Sequence, residues 1–558
     1  MFEPGSKVCE NAAFEDTRAS WYVESRQAIE RNIVSFQDLV ALADSFLSQG
    51  RYGAAAVYAQ IAADYAWHNH PGVFVSSQLE RILHRISQDT TRLAHCARRN
   101  SRPNRLPGHV FHVLTQAYGI GGHTRLVWRW IQQDTERSHS IVLTRQGSWK
   151  VPRILYDAAR AAGGRIYSLD ARTGDLLFRA RALRKLVGSA DQVVLHIHPY
   201  DVVPTIAFAS KQNLPPVIFL NHSDHVFWVG ASISDAVAQL RESGRLFSRE
   251  RRGIPLERSI LFPTPLGSIR RTLSRSQAKS QLGFPEDRVL ILSAASSYKY
   301  APLFEYSFTD TIMPILEKYD NTVLLVIGPG NTRLGQFITA SHQMQGSVKV
   351  LDKREDTSLF YQAADIYVDS FPFPSITSLL EAGAYALPLV SYCPYPSEAE
   401  MFCADAPGLS NNLIRATSAE QYIAVLSRLI ENSNFRLVLG ESAKQSISDK
   451  HGGKDWHQFL RNLYLRAAEI SSAPEPQSEL NLKPAGTLDI LLAGLHSKGR
   501  ISRPLDAVIR DHIRLLPLGL RARVWAETCR RDEPLKPSLL LPEWLCTRLG
   551  KLRSWRKR

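Results

Sequence analysis

Residues 364–392, ADIYVDSFPFPSITSLLEAGAYALPLVSY, have the pattern of a strand, a loop, a helix and a second strand. The apolar and β-branched run 365–371 predicts a buried strand, and the run 387–392 predicts the next one. Pro372 and Pro374 break the first run, so we expect the helix between the strands to begin near Ser375.

The start of this helix carries the residues that point to chemistry. The first N–H groups of a helix have no partner inside the helix, and with the helix dipole they favour a bound anion. Ser375, Thr377 and Ser378 add hydroxyl groups there, and Glu381 follows one turn further in. Phosphate oxygens suit the hydroxyls and two adjacent sugar hydroxyls suit the carboxylate, so the pattern predicts a nucleoside diphosphate site. The alternative is an ordinary N-cap at Ser375 and a solvated Glu381.

The same stretch resembles the donor-binding segment of the GT-B glycosyltransferases, which have two facing Rossmann-like domains. The resemblance is closest to the O-GlcNAc transferase-like group and to the large retaining group that includes bacterial mannosyltransferases. It implies that Glu381 holds the ribose and that the residues before it hold the diphosphate. Relatives often carry glycine where this chain has Ser375 or Ile376. The residues that carry the resemblance are Asp369, Pro372, Ser375, Thr377, Glu381, Ala382, Gly383, Pro388, Leu389 and Val390.

Length and charge limit what the whole chain can be. Its 558 residues, 44% of them hydrophobic, suffice for two to four globular domains. The formal net charge of +15 favours anionic partners such as nucleotide sugars, lipid-linked acceptors, an acidic membrane surface or nucleic acid. Because the sequence contains no recognised nucleic-acid-binding module, we expect no nucleic acid partner.

Cysteine spacing and hydropathy predict a cellular location. The cysteines are widely spaced without a CxxC pair, which predicts neither a zinc site nor a disulfide framework and favours a reducing compartment. The N-terminus has no apolar core of the kind a signal peptide needs, and no run of about 18 apolar residues occurs. We therefore expect a cytoplasmic protein, with peripheral attachment to the inner face of the cytoplasmic membrane as an option. The cysteines are Cys9, Cys96, Cys393, Cys403, Cys529 and Cys546.

Residues 1–104 predict a helical N-terminal domain. The segment 41–69 pairs two apolar-striped helices across residues 49–52 and resembles one tetratricopeptide-like hairpin. The alternative is plain helical packing on the rest of the chain. Residues 98–105, RRNSRPNR, form a polar and basic connector to the next domain.

Residues 105–268 predict the first Rossmann-like domain, because strand and helix patterns alternate along it. The strand at 109–115 leads through Gly119, Gly121 and Gly122 into a helix, which resembles the glycine-rich loop facing the donor phosphates in GT-B enzymes. His123 and Arg125 follow on the first turn, where each either reaches the cleft or lies on the surface.

A strand at 216–220 runs into NHSDHVFW, which brings His222 and Asp224 to its carboxyl end. A histidine beside a carboxylate can act as a general base for an acceptor hydroxyl. The resemblance supports this role for His222, because many GT-B enzymes carry a functional histidine on this loop; the alternative is a hydrogen-bonded structural histidine. His196 and His198 share one strand face, but two histidines without a third ligand are weak evidence for a metal.

Residues 237–252 predict a basic helix, and the prolines after the strand at 258–266 predict the hinge between domains. Residues 269–470 then predict the second Rossmann-like domain. Its first strand, near 289, leads to a serine-rich loop with Lys299, and the resemblance implies that this lysine neutralises the donor's β-phosphate. A solvated loop lysine is the alternative.

Residues 471–558 predict a linker, rich in proline up to residue 486, and a basic tail. The tail is amphipathic and rich in arginine, so it either lies on an anionic membrane or packs as helices on the body. The complete prediction is an α/β protein of the GT-B class with an N-terminal helical extension and this tail.

The predicted function is transfer of a sugar from a nucleoside-diphosphate sugar, by the resemblance UDP-linked, to a surface-glycan, lipid-linked or protein acceptor. The expected enzyme is a hexosyl- or N-acetylhexosaminyl-type transferase that needs no metal or other cofactor. Lys299, Ser375, Thr377, Ser378 and the glycines Gly121 and Gly122 would face the diphosphate. A different hypothesis is a non-catalytic helical scaffold with a degenerate GT-B body.

Overall fold

The computed structural model describes residues 5–95, 108–332, 335, 347–470, 485–531 and 535–555. It contains two parallel sheets, one of seven strands and one of six, with helices around them and a helical region before the first sheet. The α/β class and the two-sheet architecture expected of the GT-B fold are confirmed.

The first sheet has the order β3-β2-β1-β4-β5-β6-β7. β1 pairs with β2 on one side and with β4 on the other, so the strand order reverses beside β1. Ligands of open α/β sheets bind beyond the carboxyl ends of the strands at such a reversal. The strands are β1 His109–Leu114, β2 Ser138–Leu143, β3 Ile166–Ser168, β4 Gln192–His196, β5 Val217–Asn221, β6 Ala236–Gln239 and β7 Ser259–Leu261.

The second sheet has the order β10-β9-β8-β11-β12-β13, and its reversal lies between β8 and β11. The loop after β8 contains Lys299 and the loop after β11 leads to Ser375, so the topology brings these two distant segments together. The strands are β8 Val289–Ala294, β9 Thr322–Gly328, β10 Val348–Asp352, β11 Ile366–Val368, β12 Leu389–Tyr392 and β13 Leu413–Ala416.

Helices cover both sheets and form the extension. The extension has Gly5–Ser48, Tyr52–His68 and Ser77–His95, so the hairpin predicted in residues 41–69 is present. Around the first sheet lie Gly122–Gln133, Arg153–Ala161, Leu176–Val187, Val202–Phe208 and Glu242–Arg252. Around the second lie Arg275–Gln281, Phe308–Lys318, Ser358–Ala363, Ile376–Ala384, Ala419–Glu431 and Ser433–Gly452. The prediction of helix over 237–252 is wrong in its first residues, because the buried run Ala236–Gln239 pairs with β5 and β7.

One helix of the C-terminal half crosses back to the first sheet. Lys454–Glu469 packs its Trp456, Leu460 and Leu463 into a core with Val110 and Trp130. The indole N–H of Trp456 donates to the carbonyl of Pro263, 3.1 Å away in the proline-rich hinge predicted from the sequence. The two segments that connect the domains, the hinge near Pro263 and the start of the helix Lys454–Glu469, therefore lie side by side.

The C-terminal tail packs on the body. Its helices are Thr487–Lys498, Leu505–His512, Leu518–Arg531 and Glu543–Trp555. Leu492 is fully buried, and the Glu543 carboxylate accepts from Arg145 at 2.9 Å and from Arg179 at 3.0 Å. These helices therefore pack on the body of the protein, which is one of the two alternatives predicted for the tail. Residues 471–484 of the predicted linker, the connector 98–105, Cys96, the side chain of Cys9 and residues 556–558 lie outside the described part of the chain.

The cysteine prediction needs one correction. Cys393 and Cys403 form a disulfide, with Cα atoms 5.6 Å apart. The two cysteines are ten positions apart in the sequence, which gives no sign of pairing; the turn after β12 and the short 3-10 helix Ser397–Phe402 bring them together. Across the described residues, no helix is both long and apolar enough to span a bilayer.

Candidate active site

A cavity of about 480 Å³ lies between the carboxyl ends of the two sheets. Every residue predicted for the site lines it, although these residues come from four separate stretches of sequence. Glu381 is only 5% exposed, which rules out the solvated alternative. The lining residues predicted from the sequence are Gly121, Gly122, His222, Asp224, Lys299, Ser375, Thr377, Ser378 and Glu381.

One end of the cavity is the start of the helix Ile376–Ala384. Ser375 occupies the N-cap position, but its hydroxyl donates to the Ser378 hydroxyl at 3.2 Å instead of capping the helix. The loop before it is held by Asp369, whose Oδ1 accepts from the backbone N–H groups of Ser370 at 2.8 Å and Ser375 at 2.9 Å. Burial raises the pKa of Asp369 to about 7. Sequence reasoning noted Asp369 only as part of the family pattern and assigned it no role.

Lys299 supplies a cation beside this helix start. Its Nζ donates to the carbonyl of Pro374 at 2.6 Å, one residue before Ser375. Burial lowers the pKa of Lys299 to about 8, and the charge of Asp369 opposes that shift. The ammonium lies 5.4 Å from the centroid of the Phe373 ring, so it is held in place rather than solvated.

Glu381 is paired with two arginines of the first domain. Arg125 Nη1 donates to its Oε1 at 2.9 Å and to its Oε2 at 3.2 Å, and Arg129 Nη2 donates to Oε1 at 2.8 Å. Arg125 therefore reaches the cleft, as one of its two interpretations predicted. Sequence reasoning missed Arg129, although its position four residues after Arg125 on one helix face was a usable signal.

The glycine loop brings the first domain close to the start of the helix Ile376–Ala384. Gly121 precedes the helix Gly122–Gln133 with a φ of 126°, a conformation that favours glycine. A Cβ on Gly122 would lie 3.3 Å from the Thr377 hydroxyl, which is tighter than ordinary contact. Glycine at this position therefore allows the two domains to approach each other at the helix start.

His222 lies in the cleft with its ring centroid 4.6 Å from that of His123. Its Nδ1 is 3.4 Å from the Leu220 carbonyl, which can only accept, so Nδ1 carries the proton in this long contact and Nε2 keeps a free lone pair. Burial, followed by the nearby imidazole of His123, lowers the pKa of His222 well below its usual value. The imidazole is neutral, which is the form that can accept a proton.

Asp224 is engaged elsewhere. Its carboxylate accepts from Arg241 Nε at 2.6 Å and from Arg241 Nη2 at 2.9 Å, and its pKa lies far below the usual range because this arginine outweighs burial. Arg241 also donates to the carbonyls of Met401 and Cys403, at 2.9 and 3.2 Å. Through Arg241, Asp224 thus links the loop after β5 to the second domain. No signal in the sequence pointed to Arg241.

His196 belongs to a hydrogen-bonded core, whereas His198 lies beyond the end of β4, so the prediction that the two histidines share one strand face is wrong. His196 Nε2 is 2.9 Å from His112 Nδ1, and His112 Nε2 is 3.0 Å from His139 Nδ1. In the part of the chain that the structure describes, no three His, Cys, Asp or Glu residues are grouped to hold a metal ion.

Part of the second α/β domain matches a known protein family. Residues 275–446 match the family described as "Glycosyl transferases group 1". No curated protein matches the sequence.

Several solved structures align with this chain. A glycosyltransferase from Rickettsia africae aligns with 65% of this chain and 99% of its own at 11% identity, with a TM-score of 0.50. Anabaena Alr3699/HepE in complex with UDP and glucose aligns over 63% and 98% at 12% identity and a TM-score of 0.47. A mutant O-GlcNAc transferase from Thermobaculum terrenum aligns over 82% and 85% at 14% identity and a TM-score of 0.44.

Proposed function

Since residues 275–446 match the group 1 glycosyl transferases and the chain has the GT-B fold, we propose that it transfers a sugar from a nucleoside-diphosphate sugar to an acceptor hydroxyl. The donor is a UDP-linked hexose or N-acetylhexosamine. The acceptor is a bacterial surface glycan, a lipid-linked glycan or a protein.

One observation carries the proposal: a cation, a helix start and a buried carboxylate line the same cleft in the order that a nucleoside diphosphate requires. Lys299 is anchored at Pro374, directly before the helix whose first turns carry Thr377 and Ser378. Glu381 lies about one turn further along the same helix. Diphosphate oxygens bind the N–H groups, hydroxyls and ammonium at the helix start, because the dipole and the positive charge both favour an anion there.

The ion pair at Glu381 leaves room for the ribose. A carboxylate has about four lone-pair sites, and the arginines use three of them. Oε2, which accepts only the longer bond from Arg125, takes a ribose hydroxyl. Arg125 and Arg129 then hold the carboxylate in a fixed orientation toward the sugar.

The chemical step follows from this placement. The acceptor oxygen forms a bond to the anomeric carbon while the bond from that carbon to the diphosphate oxygen breaks. His222 Nε2 takes the acceptor proton, and the diphosphate leaves with the electron pair. Lys299 and the helix N–H groups stabilise the charge that develops on the leaving group, so the reaction needs no metal or other cofactor. The enzyme acts in the cytoplasm.

Asp224 does not orient His222 in this proposal. Its charge is balanced by Arg241, and it acts by fixing the loop on which His222 lies. Burial keeps the His222 imidazole neutral by lowering its pKa, with the neighbouring imidazoles of His123 and His198 as secondary causes.

A non-catalytic scaffold is the competing function, and the ion pairs of Glu381 with Arg125 and Arg129 are the observation in its favour. Thermal-shift measurements with UDP, GDP, ADP and their sugars separate the two functions, because specific binding stabilises the native state. We expect stabilisation by one nucleoside diphosphate, its loss in Lys299→Ala and Glu381→Ala, and sugar release from the donor only in the wild type. Stabilisation by none of these compounds would support the scaffold. Trp149→Ala, at an exposed position outside the cleft, is the control.

A further inference from the structure

Aromatic and imidazole rings form a row that leads from the cleft to the helical extension. The ring centroid of His222 is 4.6 Å from that of His123, which is 6.0 Å from that of His198. Three more rings surround His198, at 5.8 Å for Tyr118, 5.5 Å for Tyr200 and 5.8 Å for Trp67. We call these rings, from His222 to Trp67, the ring row.

The ring row is accessible at Tyr118. Tyr118 lies parallel to His198, with 4° between the ring planes, and is 39% exposed. Ile120, two residues further along the glycine loop, is 44% exposed and also lines the cleft. A ligand that lies on Tyr118 is therefore continuous with the cavity in which the chemistry is proposed.

Trp67 comes from the helical extension and is held firmly. Its helix, Tyr52–His68, is tied to the tail by Asp64, whose Oδ2 is 2.7 Å from His512 Nε2. Trp67 also contacts Tyr200, with ring centroids 5.6 Å apart. The helical extension and the first α/β domain thus contribute rings to one surface, and the tail holds the extension in place. The two α/β domains alone would lack Trp67.

The polar groups of the ring row form hydrogen bonds but carry no charge. Tyr118 donates to Gln116 Oε1 at 2.6 Å, and His198 Nδ1 is 3.3 Å from the Tyr200 hydroxyl. Burial lowers the pKa of His198 to about 3 and raises the pKa values of Tyr118 and Tyr200, so each is neutral at pH 7. The donor side of the cleft is different, because Lys299, Arg125 and Arg241 line it.

We propose that the ring row is the acceptor subsite and that its ligand is a neutral saccharide chain with sugar rings packed on Tyr118 and Trp67. Sugar rings present apolar C–H faces that pack on aromatic rings, and hydroxyls that pair with neutral donors and acceptors. A peptide would leave backbone N–H and C=O groups to be satisfied by a surface that offers few partners. The inference rests on the proposed function, because the saccharide must bring a hydroxyl to His222.

Calorimetric titration tests this subsite without the donor. The probes are maltohexaose, chitohexaose and mannohexaose, with a serine-rich dodecapeptide as the peptide arm. The proteins are the full-length wild type, Tyr118→Leu, Trp67→Leu and the matched control Trp149→Leu, whose tryptophan is 70% exposed and not part of the ring row. Leucine keeps apolar volume and removes the ring, and circular dichroism checks folding.

We expect at least one hexasaccharide to bind the wild type and Trp149→Leu equally, and to bind Tyr118→Leu and Trp67→Leu about tenfold more weakly, the loss of one aromatic contact. The UDP-induced thermal shift should be the same in all four proteins. Binding of no hexasaccharide, equal binding by all four proteins, or binding of the peptide alone overturns the subsite. If a saccharide binds as expected but no nucleoside diphosphate does, the subsite stands and the proposed function fails.

Discussion

Arg129 and Glu381 form a buried ion pair between the two α/β domains, with Arg129 Nη2 2.8 Å from Glu381 Oε1. The arginine side chain is 10% exposed and the glutamate side chain 7%. Removal of one partner from a buried pair leaves an uncompensated charge, which is more costly than the loss of a surface pair. The pair therefore joins the two α/β domains at the proposed donor site.

A double-mutant cycle on Arg129→Ala and Glu381→Ala should show this coupling. We expect each single change to lower the free energy of unfolding by about 3 kcal/mol. The loss of unfolding free energy in the double variant should be smaller than the sum of the two single losses, by more than about 1 kcal/mol. Urea denaturation measures all three losses. Arg461→Ala, which removes an exposed pair with Glu136 at 3.7 Å, is the control and should change little. Strict additivity would contradict the coupling.

Donor binding should weaken at alkaline pH. Lys299 has a pKa lowered to about 8 and loses its positive charge as the pH rises through that value. Asp369, with a pKa raised to about 7, gains negative charge over a neighbouring range, so both changes disfavour a diphosphate. Titration of the nucleoside diphosphate between pH 6.5 and 9.5 should show the loss. Lys299→Arg keeps its charge throughout and should bind with a shallower alkaline decline; an identical decline would exclude Lys299 as its origin.

Arg241 should be essential for stability and lysine should not replace it. Its guanidinium bonds both oxygens of Asp224 and two backbone carbonyls, a geometry that one ammonium cannot reproduce. We expect Arg241→Ala and Arg241→Lys each to lower the free energy of unfolding by about 3 to 5 kcal/mol. Denaturant titration checks this against Arg245→Ala, which removes a half-exposed pair with Glu242. Near-normal stability of Arg241→Lys would argue against the bidentate contact.

Acid should destabilise the fold already at a pH above the range in which ordinary carboxylates protonate. Burial lowers the pKa of His84 to about 4 and the pKa values of His198 and His496 to about 3. The unfolded chain binds these protons near pH 6.5 and the folded chain does not, so stability falls as pH drops below about 6.5. Thermal unfolding from pH 7.5 to 4.5 measures the decline, which His84→Gln should lessen. A flat profile over this range would contradict the burial of these imidazoles.

A larger residue in place of Gly122 should limit how closely the two domains approach each other. A Cβ at residue 122 would lie 3.3 Å from the Thr377 hydroxyl, so the larger side chain in Gly122→Val should push Thr377 away from the start of its helix. We expect nucleoside diphosphate affinity to fall about tenfold, a cost of about 1.4 kcal/mol, with little change in overall folding. Gly519→Ala is the matched control, because its added Cβ meets nothing within 4 Å. Equal affinity in both variants would show that Gly122 does not border the donor.

Much of the fold follows from local sequence patterns. The strand near 366, the helix after Ser375 and the glycine loop before residue 122 were predicted because apolar periodicity, proline and glycine act locally. The strand Ala236–Gln239 was missed because a short apolar run beside a basic helix has no distinct period. The Cys393–Cys403 disulfide was missed because pairing depends on how the intervening turn folds.

The candidate site divides in the same way. The sequence determined which segments carry hydroxyls, a lysine, a carboxylate and an imidazole, since these lie at strand ends and helix starts that local pattern reveals. Only the tertiary structure decided their partners: Arg129 for Glu381, Arg241 for Asp224, and Trp67 beside His198. The residues of the first and third contacts are more than a hundred positions apart, and those of the second are seventeen apart. Each contact depends on how whole helices and strands pack, which local sequence patterns do not reveal.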